Sequence, residues 1–207
     1  MRLLHGLAVV IIAVLTLLPS RQVGAEGLVI SLSNHQVLIT SNYTGSQLTL
    51  FGAVQRDDQT IARTSGYDVA VIVRGPRVET MTVRRKERLF GIWVNRTSMT
   101  FEQMPISYSL ASTRPVEQIS AAQELTTRNI GIDHLALTPT GYITTAANLA
   151  EFRDAFRRLK QSQGLYQRDT NGVRFVSSSL FKATLRLPAN IPDGVHMVHA
   201  YLFKSGE

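Results

Sequence analysis

The chain has 207 residues, a formal charge of +7 and no cysteine. Without thiols there is no cysteine nucleophile, no CxxC redox pair, no Cys-ligated zinc and no disulfide, so a packed core must hold the fold. Such a basic balance suggests nucleic acid in the cytosol, but an anionic lipid surface or an acidic partner outside it.

The amino end decides between those compartments. Arg2 gives a positive start, Leu7–Leu18 is apolar apart from Thr16, and Val23-Gly24-Ala25 places small residues where a signal peptidase cuts. A helix over that run rises about 18 Å, short of a hydrocarbon core of roughly 30 Å. Residues 1–25 are therefore expected to be a cleaved signal peptide, an uncleaved amino-terminal anchor being the rival reading. The mature chain then starts near Glu26, carries +5 once Arg2 and Arg21 are gone, and belongs in the periplasm, with no nucleic-acid partner.

Alternation predicts strands through the first half. Leu28–Ser33, Val37–Thr40 and Leu48–Val54 are the first three, with a turn over Asn42–Ser46 and a polar loop over Arg56–Gln59. Tyr67–Arg74 has Val69, Val71 and Val73 on one side and Ala70 and Ile72 on the other, so it is expected in the middle of a sheet. Gly75-Pro76 ends it, since proline has no N–H for the ladder. Val78–Arg85 and Phe90–Asn95 follow, joined by the polar stretch Arg84–Arg88, and Phe90 and Trp93 are expected in the core. Ile106–Ala111 is another strand.

Helices are then expected. Pro115–Leu125 has apolar residues three apart behind a proline suited to a first turn. Thr138–Thr145 is irregular. The strongest helix follows Asn148, an N-cap with Glu151 as its partner; Leu149, Phe152, Phe156 and Leu159 line one face and Gly164 stops it. Strands return at Val173–Val176, Phe181–Leu187 and Val195–Lys204. Together this predicts residues 26–207 as a single mainly β domain, an immunoglobulin-like sandwich of roughly seven or eight strands with a helical insertion at about 115–164.

Several short segments carry a family resemblance. Leu32-Ser33-Asn34-His35, Phe51-Gly52, Val73-Arg74-Gly75-Pro76, Arg85-Lys86-Glu87-Arg88, Gly91-Ile92-Trp93-Val94-Asn95, Phe101, Pro105, Ser112-Thr113-Arg114-Pro115 and Tyr201-Leu202-Phe203 run in that order. In order and spacing they resemble the alphaproteobacterial family labelled putative transmembrane protein. The resemblance implies a signal, an exported domain and one membrane helix near the carboxyl end, in the company of sulfite-exporter-like permeases. After Ala25 this sequence has no run of 18 apolar residues. The anchor is expected either beyond the end of the sequence given or lacking in this copy. An ending just past the strand at Ser205-Gly206 favours the former.

Chemistry-bearing motifs are few. His196 and His199, three apart on an expected strand, point to opposite faces and share no metal easily. Asp133-His134 is a candidate half of a base–orienter pair, but no serine stands in a nucleophile elbow and no phosphate loop is present. No catalytic residue, metal or cofactor is assigned. The basic residues Arg84, Arg85, Lys86 and Arg88, with Arg153, Arg157, Arg158 and Lys160 of the helix, are the candidates for contact with a membrane or partner, against a scattered solvated surface. The resulting expectation is a non-enzymatic, membrane-associated accessory subunit of an inner-membrane protein such as a permease. The alternatives are a small-ligand binding protein, marked by a deep pocket between sandwich and insertion, and an exported hydrolase, marked by polar residues converging on Asp133, His134 or His196.

Overall fold

The computed structural model describes residues 27–55, 66–141 and 145–204. The expected signal peptide, the polar loop Arg56–Gln59 and the ending at Ser205-Gly206 lie outside those residues.

The described chain is mainly β, in several antiparallel sheets. Strands β1 (Gly27–Leu32), β2 (Ser46–Gln55), β10 (Leu180–Leu187) and β9 (Val173–Phe175) form a first sheet in the order β1-β2-β10-β9. A central sheet has the order β11-β3-β6-β8, from Met197–Lys204, Tyr67–Arg74, Tyr108–Ser112 and Tyr166–Asp169. The third is β4 (Arg77–Leu89), β5 (Ile92–Pro105) and β7 (Thr138–Thr140). Among the described residues eleven strands in three sheets thus replace the seven or eight anticipated, and Val37–Thr40 is not a strand.

The two-sided apolar pattern of β3 has the consequence anticipated for it. It lies between β11 and β6, and its alternate residues feed two separate cores. Val69, Val71 and Val73 pack with Leu50, Phe181 and Leu185 of the first sheet. Ala70 and Ile72 pack on the opposite side with Phe101 of β5 and with the helices. The central sheet is covered on both faces, which is why its middle strand has no polar alternation.

The helical segment is a crossover. Strands β6 and β8 run parallel, and parallel neighbours need a connection long enough to return the chain to the same end. That connection holds α1 (Val116–Ile119), α2 (Ala122–Arg128) and α3 (Ala146–Ser162). The single helix expected over Pro115–Leu125 is broken at Ser120, whose backbone is extended. Helix α3 starts earlier than expected: Thr145, not Asn148, is the N-cap, and its Oγ1 accepts a hydrogen bond from the Asn148 amide at 3.2 Å.

Half-buried arginines and a buried tyrosine tie this crossover down. The loop between α2 and β7 would leave its carbonyls unpaired inside the molecule. Instead Arg153 donates to Leu137 O, Arg157 to Ile132 O and Asp133 O, and Arg74 to Arg128 O and Asn129 O. The Tyr108 hydroxyl, which burial pushes well above its ordinary pKa, accepts from Gly131 N at 2.8 Å. At the other end of β3, Asp68 accepts from Thr113 at 2.7 Å and from Arg114 at 2.6 Å. Burial pulls that carboxyl up, but the bonds from Arg114 and Thr113 outweigh it and hold it below the usual range.

Candidate functional site

The most distinctive surface is the far end of the β4–β5 ribbon. Sequence reasoning placed a connection at Arg84–Arg88, but β4 runs through that stretch and pairs with β5 as far as Leu89 opposite Ile92. The turn is Phe90-Gly91, with φ of 49° and 87°. Two successive left-handed residues make the two-residue hairpin turn whose twist suits the ribbon. Glycine takes such a conformation freely, whereas phenylalanine does so at a cost.

Register explains why the ribbon splits into a packed half and a free half. Met81, Val83, Met99 and Phe101 face the helix-side core. Arg85 is the last anchored residue; it pairs with Glu151 of α3 and lies over the Phe152 ring, 5.7 Å from its centroid. A register shift follows between Arg85 and Lys86. From Lys86 to Asn95 no residue is buried. At the strand rise, the turn stands about 16 Å beyond the Arg85–Thr97 pair.

That free end is apolar at its tip and basic along its sides. Leu89 is 50% exposed, Phe90 97%, Ile92 67% and Trp93 66%. Phe90 and Trp93 are thus not core residues as expected; the turn carries them past anything they could pack against. Arg84, Lys86, Arg88 and Arg96 are exposed, with Glu87 the one acid in the stretch, paired to Arg96 at 3.1 Å. Four large apolar side chains grouped on a protruding turn are an unusual exposure for a soluble surface. Gly91 between apolar neighbours was the signal available in the sequence.

The cations of α3 do not join this site. Lys160 is buried, donates to Ile106 O at 3.2 Å, and lies over the Phe156 and Tyr166 rings; burial lowers its pKa. Arg153 and Arg157 are half-buried braces of the crossover loop. Arg158 alone of the four is exposed. The single basic face expected from ribbon and helix together therefore resolves into Arg84, Lys86 and Arg88 on the ribbon, with Arg153, Arg157 and Lys160 turned to backbone carbonyls and Arg158 exposed.

The residues considered for chemistry are dispersed. Asp133 pairs with Arg168 at 3.2 Å, and His134 Nδ1 lies 3.1 Å from Thr126 Oγ1. His196 Nε2 lies 3.4 Å from Ser107 Oγ, and its Nδ1 faces the Gly194 carbonyl at 3.1 Å rather than a carboxylate. Ser107 itself is buried. Among the described residues no three His, Asp or Glu come together in a way that could hold a metal ion.

The strain at the turn carries a prediction. Asparagine accepts the left-handed backbone that Phe90 now occupies, and Asn-Gly is a favoured pair for this turn. Phe90→Asn is expected to stabilise the fold by about 1 kcal/mol in urea unfolding, and an unchanged or lowered midpoint would refute the strain.

A family model described as "Putative transmembrane protein (Alph_Pro_TM)" matches residues 27–207. No curated protein and no solved structure matches the chain.

Proposed function

The chain belongs to this alphaproteobacterial putative transmembrane protein family, and from that membership we propose that it is a periplasmic, membrane-associated accessory module. In this reading it is not an enzyme. Its β4–β5 ribbon rests on an anionic bilayer while the body contacts an inner-membrane partner, a sulfite-exporter-like permease being the class considered. The first and central sheets, packed face to face over a shared core, support describing the body as immunoglobulin-like.

One observation carries the proposal: an exposed apolar turn flanked by cations. Tryptophan and other aromatic residues favour the zone between headgroups and chains, where a ring is taken out of water. Arginine and lysine just behind them meet the lipid phosphates. Among the described residues no helix is long and apolar enough to cross a membrane, so the contact proposed is made by the ribbon at the surface.

Vesicle co-sedimentation of residues 26–207 tests this. Binding to phosphatidylglycerol-rich vesicles is expected to fall by roughly 100-fold when Arg84, Lys86 and Arg88 are all changed to Gln, from about 1 kcal/mol per charge near the surface. Added salt should weaken the parent in the same direction. Binding that ignores both the triple change and salt would sink the electrostatic half of the proposal.

A further inference from the structure

Between the end of β3, the start of β11 and the loop that follows α2 lies a pocket of about 700 Å³. That volume is within the range of small-molecule sites, and the position, at the seam between sheets and crossover, is where such sites tend to form. No residue of the distal ribbon, 86–97, lines it.

Its charged and titratable groups come from four different strands. Arg74 is on β3, Arg77 opens β4, Glu102 is on β5 and His199 is on β11, while Leu135 and Met197 supply apolar wall. Arg74 is held in place: its Nη2 donates to Arg128 O at 2.9 Å and to Asn129 O at 3.0 Å. Its Nε is buried and has no protein partner. With both Nη2 hydrogens taken and Nε shielded, Nη1 is the donor left to meet a ligand, and a charged N–H held in place bonds a carboxylate oxygen strongly. Burial, and then the charge of Arg74, lower the His199 pKa, so the imidazole stays neutral at neutral pH and adds no charge. Two arginines against one glutamate leave the pocket positive. At its lip, Gln103 has a φ of 55°, a strained non-glycine conformation of the kind that gathers at ligand sites.

We propose that this pocket binds a small organic monoanion, a carboxylate attached to an apolar body, with Arg74 receiving the carboxylate and Leu135 and Met197 covering the apolar part. This is a binding activity separate from membrane contact, and it stands or falls independently of the ribbon.

Fluorine NMR on the full chain, with para-fluorobenzoate as probe, tests it. Saturable binding is expected, at least about tenfold tighter than that of para-fluorobenzylamine, because the amine meets a like charge. Arg74→Lys, which gives up the two carbonyl anchors that fix the guanidinium, should weaken binding roughly tenfold or more. Ala136→Trp, at an exposed position lining the pocket, should abolish it by filling the space without touching the core. The proposal is overturned if the carboxylate gives no saturable response, if the amine binds equally well, or if Ala136→Trp leaves binding intact.

Discussion

Replacing Phe90 and Trp93 together with serine is expected to lower vesicle affinity by roughly 1000-fold, from about 2 kcal/mol for each ring kept out of water. This exceeds the effect of removing the ribbon charges, and the reason is geometric. Both rings are already exposed in the free protein, so they insert at little cost in reorganisation and their whole transfer energy counts towards binding. Neither touches the core, so the fold should survive the change. Trp93 is the only tryptophan, which makes its fluorescence an unambiguous reporter of this one site. Binding should shift its emission to the blue and expose it to quenching by brominated lipid chains. Emission unmoved at saturating lipid, or equal affinity for the parent and the double variant, would end the membrane reading. The Phe90→Asn variant sharpens the contrast: it should bind more weakly while folding more stably, opposite signs that a merely structural role for Phe90 does not produce.

The second large effect concerns the crossover. Phe156→Ala is expected to destabilise the fold by about 4 kcal/mol. Its ring is fully buried and meets Phe101 of β5 at 5.7 Å and Tyr166 of β8 at 5.9 Å, both edge-on. It therefore ties the consecutive elements α3 and β8 to β5, a distant part of the chain, and alanine would leave a cavity that none of them can close. In thermal unfolding this should lower Tm by roughly 10 °C for a chain of this length. Leu159→Ala on the same helix is the control. Sequence spacing puts Leu159 on the apolar face with Phe156, yet it is half exposed, so its loss should cost no more than about 0.5 kcal/mol. Equal losses at the two positions would mean that α3 does not pack as described.

Those two residues show what spacing can and cannot convey. A helical period tells which side chains share a face, but not how wide the covering surface is. Phe152 and Phe156 sit beneath the strands, while Leu159 falls beyond their edge. The same gap explains Arg153, Arg157 and Lys160: cations on the polar side of a helix look solvated until one knows which carbonyls lie opposite. It explains Gly52 as well, which in sequence is only a weak spot in a strand. A Cβ there would come within 2.3 Å of the Phe181 ring, so the missing side chain makes room for an aromatic from the neighbouring strand.

By itself the amino-acid order determined the elements with the strongest patterns and which of their faces are buried. The Val-Ala-Val-Ile-Val run of β3 had to lie in an interior strand, and the alternation over Phe181–Leu187 had to give a strand with one buried side, because side chains of a strand point alternately to its two faces and the first run is apolar on both. Tertiary structure alone decided that Trp93 and Phe90 project into solvent, that the helical stretch joins parallel strands, and that Arg74 faces a pocket. Those outcomes depend on which distant segments come to cover, or fail to cover, a given side chain. An apolar ring has the same composition and the same local backbone whether or not anything arrives to bury it.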